Sequence, residues 1–158
     1  MSNSYDDVMA RRSDIMRQAL ALDYDSFQHG DLVFDYDALM SSTGYRLDDV
    51  ARIQAETKVG HTPLYELHRL TEAVREIAGP GKGARILLKD EAANASGSFK
   101  ARRASLSAHE AQVKGFAGMV TATSGNYGAA VASQAAQRGL ACIVIQEIYD
   151  SQHVGQPE

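Results

Sequence analysis

From Tyr5 to about Leu22 the apolar residues Val8, Met9, Ile15, Met16, Ala19 and Leu20 fall largely at helical spacing, with Arg11, Arg12 and Arg17 between them. Asp6 and Asp7 stand near the start of this stretch, where they complement a helix dipole, so the pattern predicts an amphipathic helix. Shorter helical patterns follow at Tyr36 to Met40, Leu47 to Ala55 and residues 71–78. Gly60 and Pro63, within Gly60-His61-Thr62-Pro63-Leu64, interrupt any helix there, and a short strand is expected near residues 62–69. Gly79-Pro80-Gly81-Lys82-Gly83 reads as a loop. Residues 1–83 are thus predicted to be a mainly helical N-terminal segment.

The texture changes at residue 84. Arg85 to Leu88 reads as a short buried strand, Ser98 to Lys114 as a helix rich in alanine and charge, and Met119 to Thr123 as a strand. Asn126 to Arg138 is an alanine-rich helix ended by Gly139, and Leu140 to Gln146 is a strand of apolar and β-branched residues. Strand, helix, strand, helix, strand over 84–158 predicts an α/β fold with a parallel sheet and right-handed crossovers. In such sheets ligands sit beyond the carboxyl ends of the strands, where helix N-termini present free N–H groups.

Composition narrows the classes. The chain has 158 residues, 44% hydrophobic and 23% charged, which suits a globular core with room for a small second lobe. No run approaches the roughly 18–20 apolar residues of a membrane span, and the N-terminus lacks a signal peptide's apolar stretch, so a cytoplasmic protein is expected. A net charge of -4 with mixed signs argues against a nucleic-acid partner. The single cysteine, Cys142, lies in an apolar run that suits a buried strand better than a reactive thiol. His29, His61, His68, His109 and His153 show no metal-ligand spacing, and no metal site is expected.

Two loops carry candidate chemistry. The first, Lys89 to Lys100, joins a strand to a helix and sets Lys100 in the first helical turn, at the sheet's ligand-binding rim. There the amine stands beside the positive end of the helix dipole, a setting suited to Schiff-base chemistry; in isolation the same residue reads as a solvated surface lysine. The second loop, Thr121 to Gly128, is made of small residues that let a backbone close on a ligand. Thr123 or Ser124 can cap the helix, the N–H groups can cradle a carboxylate, and Asn126 adds an amide donor. An ordinary capped helix start is the plainer reading of the same residues. A serine-nucleophile arrangement is excluded by spacing, because the position three before Lys100 is Gly97.

Taken together, Ser98-Phe99-Lys100 after one strand and Ser124-Gly125-Asn126 after the next resemble the tryptophan-synthase-like group of pyridoxal-phosphate enzymes, known as fold type II. Gly60 to Leu64 is similar to the Gly-x-Thr-Pro-Leu entry of that group. The resemblance implies a three-layer sheet with helices on both faces and pyridoxal 5'-phosphate as cofactor, held covalently by Lys100 and contacted at its ring oxygen by Asn126. It also implies that Thr123, Ser124, Gly125, Asn126 and Tyr127 bind the substrate. The wording of Lys89 to Lys100 and of Ser124 to Gly139 looks like the branch of the group that cleaves 2-amino-4-oxopentanoate with coenzyme A to acetyl-CoA and alanine. That branch belongs to the acyltransferases of ornithine degradation, and its resemblance implies an α-subunit partner and an oligomer. Threonine synthase, an amino-acid ammonia-lyase or a non-catalytic remnant are the competing readings.

Two departures qualify the resemblance. Ala101 stands where members of the group usually carry an acidic residue. The glycine-rich loop that holds the cofactor phosphate in the group does not occur before Glu158, and Gly79 to Gly83 precedes a strand and has the wrong context for phosphate. The chain is therefore expected to be the N-terminal portion of a longer protein, weak or inactive by itself.

Overall fold

The structure, a computed structural model, describes residues 4–30 and 32–146. His153 and the final Gln156-Pro157-Glu158 lie outside the described residues. The chain divides into two compact units, Met1–Arg46 and Leu47–Glu158.

In the first unit the single predicted helix is two, α1 (Tyr5–Ala10) and α2 (Arg12–Leu20). Ser4 Oγ accepts from Asp7 N to start α1, whereas Arg11, at φ -104°, leaves helical geometry between them. A 3-10 turn at Tyr24–Phe27 leads into a hairpin of β1 (Gln28–His29) and β2 (Val33–Phe34), which periodicity did not reveal because two-residue strands carry no period. Asp35 Oδ1 accepts from Ala38 N at 2.8 Å and caps α3 (Tyr36–Ser42). The Phe34 ring organises the unit, with the Tyr24 ring stacked at 4.4 Å and the Tyr36 ring edge-on at 4.8 Å.

The second unit opens with α4 (Leu47–Glu56), β3 (Leu64–Glu66), α5 (His68–Ala78) and β4 (Leu87–Lys89). It continues with α6 (Lys100–Val113), β5 (Gly118–Thr123), α7 (Asn126–Gln137) and β6 (Ala141–Gln146). β5 and β6 pair in parallel, Gly118 opposite Ala141 and Thr123 opposite Gln146, with α7 as the crossover. β4 does not join them among the described residues. It pairs antiparallel with β3, Leu64 opposite Lys89, and Glu66 reinforces that pairing by taking a hydrogen bond from Arg85 at 2.6 Å.

Small residues decide how closely the layers meet. A Cβ on Gly128 would stand 2.4 Å from Thr123 Cγ2 and 2.9 Å from Val144 Cγ1, so only glycine lets α7 lie on the parallel pair there. Ala101, Ala104, Ala108 and Ala111 make the buried stripe of α6, and Ala130, Val131 and Ala135 that of α7. Ala104, Ala130 and Val131 form the core, with Met119, Tyr127 and the half-buried Cys142 packed against it. The two helices run parallel. At their starts the Arg103 guanidinium lies 4.8 Å from the Tyr127 ring centre, and at their ends Arg138 Nη1 donates to Gln112 Oε1 at 3.1 Å.

Candidate functional site

Lys100 owes its place to the loop before it. Asp90 Oδ1 accepts from Ala92 N at 3.2 Å and opens a 3-10 turn, and Asn94, almost fully buried, closes it by donating to Glu91 O at 2.9 Å. Gly97 then turns the chain with φ +73°, a left-handed backbone that favours glycine, while its N–H donates to Asn94 O at 2.8 Å. Buried Ser98 accepts from Lys100 N at 3.3 Å just ahead of the helix, whose N-cap is Phe99 and whose first residue is Lys100. Its side chain is half-buried, and Nζ lies 4.5 Å from the centre of the Phe99 ring.

On the second loop Thr123 Oγ1 accepts from Gly125 N at 3.0 Å and Gly128 N at 3.1 Å, and donates to Gly125 O at 2.8 Å. The hydroxyl is thus spent on the shape of the turn. Ser124 and Asn126 are exposed, while Gly125 and Tyr127 are half-buried. The N–H groups of Asn126 and Tyr127 belong to the first turn of α7 and have no acceptor within the helix.

The parallel packing of α6 and α7 brings the two loops to one end. Arg103 and Ala104 lie within about 60° of Lys100 on either side of it around α6, and this is the face whose Arg103 covers Tyr127 and whose Ala104 packs on Ala130. Lys100 is the member of that face nearest the helix start.

A cluster that sequence patterns did not suggest supports the first loop from behind. Arg102 donates through Nε to Glu91 Oε2 at 2.7 Å and through Nη2 to Glu91 Oε1 at 2.8 Å. Thr62 Oγ1 donates to the same carboxylate at 2.7 Å, and Asn94 Nδ2 at 3.1 Å. The Arg102 hydrogen bonds, then those of Thr62, outweigh partial burial and hold the Glu91 carboxyl down at about 2, while Arg102 is raised by the same partner. Asn94 Oδ1 accepts from Gly60 N at 3.0 Å, Lys89 Nζ donates to Thr62 O, and Gln54 Nε2 donates to Arg102 O at 3.2 Å. The Gly60 to Leu64 segment is therefore a clasp on the lysine loop. A glutamate eleven residues before an arginine offers no periodic signal, which is why the pair escapes a sequence reading. Ala101 is fully buried, and Arg102 takes its acidic partner from Glu91.

Among the described residues no cluster of histidine, cysteine, aspartate and glutamate could hold a metal ion, and no helix is long and apolar enough to cross a membrane.

The family described as pyridoxal-phosphate dependent enzyme matches residues 55–153, and the chain belongs to that family. Over 155 residues, 98% of its length, the chain is 58% identical to a 2-amino-4-ketopentanoate thiolase beta subunit of an unknown prokaryotic organism. It is 56% identical over the same length to a protein of that name from Acetoanaerobium sticklandii. The alignment takes in 33% of each of these two relatives, so the chain spans about a third of their length. A threonine synthase of Halalkalibacterium halodurans is 35% identical over 86 residues, 54% of this chain and 22% of that protein. No solved structure matches.

The residues present fit the cofactor that this family depends on. Lys100 offers a primary amine at a rim, Asn126 and Ser124 offer exposed donors, and two first-turn N–H groups face an anion's natural place. Ser96 Oγ, in the loop ahead of Lys100, is buried without a hydrogen-bond partner, a donor with capacity to spare.

Proposed function

We propose that the complete protein catalyses the thiolytic cleavage of 2-amino-4-oxopentanoate by coenzyme A, giving acetyl-CoA and alanine in ornithine degradation, with Lys100 as the lysine that binds pyridoxal phosphate. The observation that carries this reading is the parallel packing of α6 and α7, in which the α6 face bearing Lys100 meets the first turn of α7. The names of the two relatives above support the choice of reaction and of an α subunit as partner.

When bound, pyridoxal phosphate supplies an electron sink for the charge left on carbon. The residues of this chain do the rest. Lys100 Nζ, which would hold the cofactor, is the base that would take the α-proton and later return a proton to carbon. Asn126 donates to the ring oxygen of the cofactor. Ser124, Gly125 and the N–H groups of Asn126 and Tyr127 hold the substrate carboxylate, and Thr123 contributes by fixing the turn that presents them. The thiol sulfur of coenzyme A bonds to C4, the C3–C4 bond breaks, acetyl leaves on sulfur, and C3 gains a proton to complete alanine.

We assign residues 84–158 to the βαβαβ part of the cofactor-binding domain and residues 1–83 to its helical N-terminal segment. The three-layer sheet of the complete protein accounts for the apolar face of the parallel pair turned away from α7, where Val120, Ile143 and Ile145 are exposed. The reaction is tested by following acetyl-CoA formation in the complete protein with its partner subunit. Turnover that needs coenzyme A and vanishes in Lys100→Ala supports the thiolase reading. Turnover of an amino acid without coenzyme A replaces it with a synthase or lyase.

A further inference from the structure

Lys100 and Arg102 are two residues apart at the start of α6, about 200° around the helix. One side of that first turn therefore carries the amine, and the other carries a guanidinium locked in place. Arg102 is locked by two short hydrogen bonds to Glu91, by Thr62 at 3.3 Å and by Gln54 at 3.4 Å. These contacts reach the lysine loop and, well before it in sequence, the Gly60 to Leu64 clasp and α4. A planar guanidinium held at two points by one carboxylate resists both translation and rotation, so the rotation of α6 about its own axis is set at Arg102.

Resting on the functional reading above, we propose that Arg102 and Glu91 are positioning residues that fix the rotation of the first turn of α6 and thereby aim the Lys100 amine at the cofactor aldehyde. Arg103 completes the arrangement by docking the lysine-bearing face on Tyr127. The pair touches neither cofactor nor substrate. It acts on the rate and geometry with which Lys100 engages, because a misplacement of about 1 Å costs up to a hundredfold in a positioned reaction.

The same helices provide an internal control. Arg138, whose side chain is 6% exposed, binds Glu56 at 3.1 Å and Ile53 O at 3.4 Å, a buried cation that ties α4 down at the far ends of α6 and α7. Its removal takes away contacts of α4 with the ends of α6 and α7 and none of the hydrogen bonds that hold Arg102.

In the complete protein freed of cofactor, pyridoxal phosphate is added, borohydride is used to quench at successive times, and the pyridoxyl label at Lys100 is quantified, with the visible absorbance of the bound cofactor recorded alongside. Arg102→Met and Glu91→Gln are expected to slow labelling of Lys100 roughly tenfold or more and to shift that absorbance. Arg102→Lys, which keeps the charge and loses the two-point contact, is expected to fall between them and wild type, and Arg138→Met to label at the wild-type rate. Wild-type rates in all Arg102 and Glu91 variants overturn the proposal while leaving Lys100 in its role, as does equal slowing by Arg138→Met. Wild-type labelling at a different lysine overturns the functional reading, and this proposal with it.

Discussion

Replacing Glu91 with glutamine keeps the shape of the side chain and removes its charge from a site where Arg102, Thr62 and Asn94 all donate to it. An ordinary glutamate titrates near 4.5 and Glu91 at about 2, a displacement equivalent to roughly 3 kcal/mol in favour of the ionised form. The side chains of Arg102 and Glu91 are 35% and 22% exposed, and solvent screening reduces the expected loss in Glu91→Gln to about 1–2 kcal/mol. The sign with pH follows from the depressed carboxyl: its contribution is complete above pH 4.5 and disappears as pH falls toward 2. Urea unfolding of wild type and variant, at a series of pH values, measures this directly. The gap between the two is expected to be constant from pH 7 to about 5 and to close progressively below 4.5, with the urea dependence of both unchanged. A gap under about 0.5 kcal/mol at pH 7, or one that does not narrow in acid, refutes the account of the cluster.

Other substitutions probe other links. Gly128→Ala forces a Cβ into Thr123 and Val144 and is expected to destabilise the second unit by about 1–3 kcal/mol in the same unfolding assay. Thr123→Val leaves Gly125 N without its side-chain acceptor and Gly128 N with Gly125 O alone, for an expected loss of about 1–3 kcal/mol, and calorimetry should show weaker carboxylate-ligand binding as the turn relaxes. Lys100→Ala removes a half-buried side chain that lies over the Phe99 ring and leaves the backbone hydrogen bond from Lys100 N to Ser98 in place, so thermal unfolding should change by no more than about 0.5 kcal/mol. Covalent cofactor labelling is expected to vanish in that variant.

What the sequence made legible was local. The alanine-rich helices, the two strands of the parallel pair and the loops ending at Lys100 and Asn126 follow from periodicity and breaker residues, because each signal lies within one element. The expected buried strand at Arg85 to Leu88 exists one or two residues later but is exposed, and its partner is β3, a choice made by Glu66, Arg85 and the ladder across Leu64 to Lys89, which no local pattern encodes. The break at Arg11 was hidden for a related reason: apolar spacing continues through it, and only the backbone turn at φ -104° ends α1. Of the candidate site, the amine and the small-residue turn were visible as motifs, whereas the cluster around Arg102 was not, since Gln54, Thr62, Glu91 and Asn94 meet only through tertiary packing. Thr123 shows the converse, a residue marked by the motif whose hydroxyl is spent on the backbone of its own turn.

The central claim is that one amine, at the first position of α6, bonds the cofactor. Borohydride reduction of the cofactor-loaded protein followed by trypsin and mass analysis tests it. Trypsin cuts after unmodified Lys100 but not after a modified one, so a peptide running from Asp90 through Arg102 with the pyridoxyl mass on Lys100 is expected. Recovery of the unmodified Asp90 to Lys100 peptide, with the label on another lysine, would contradict it.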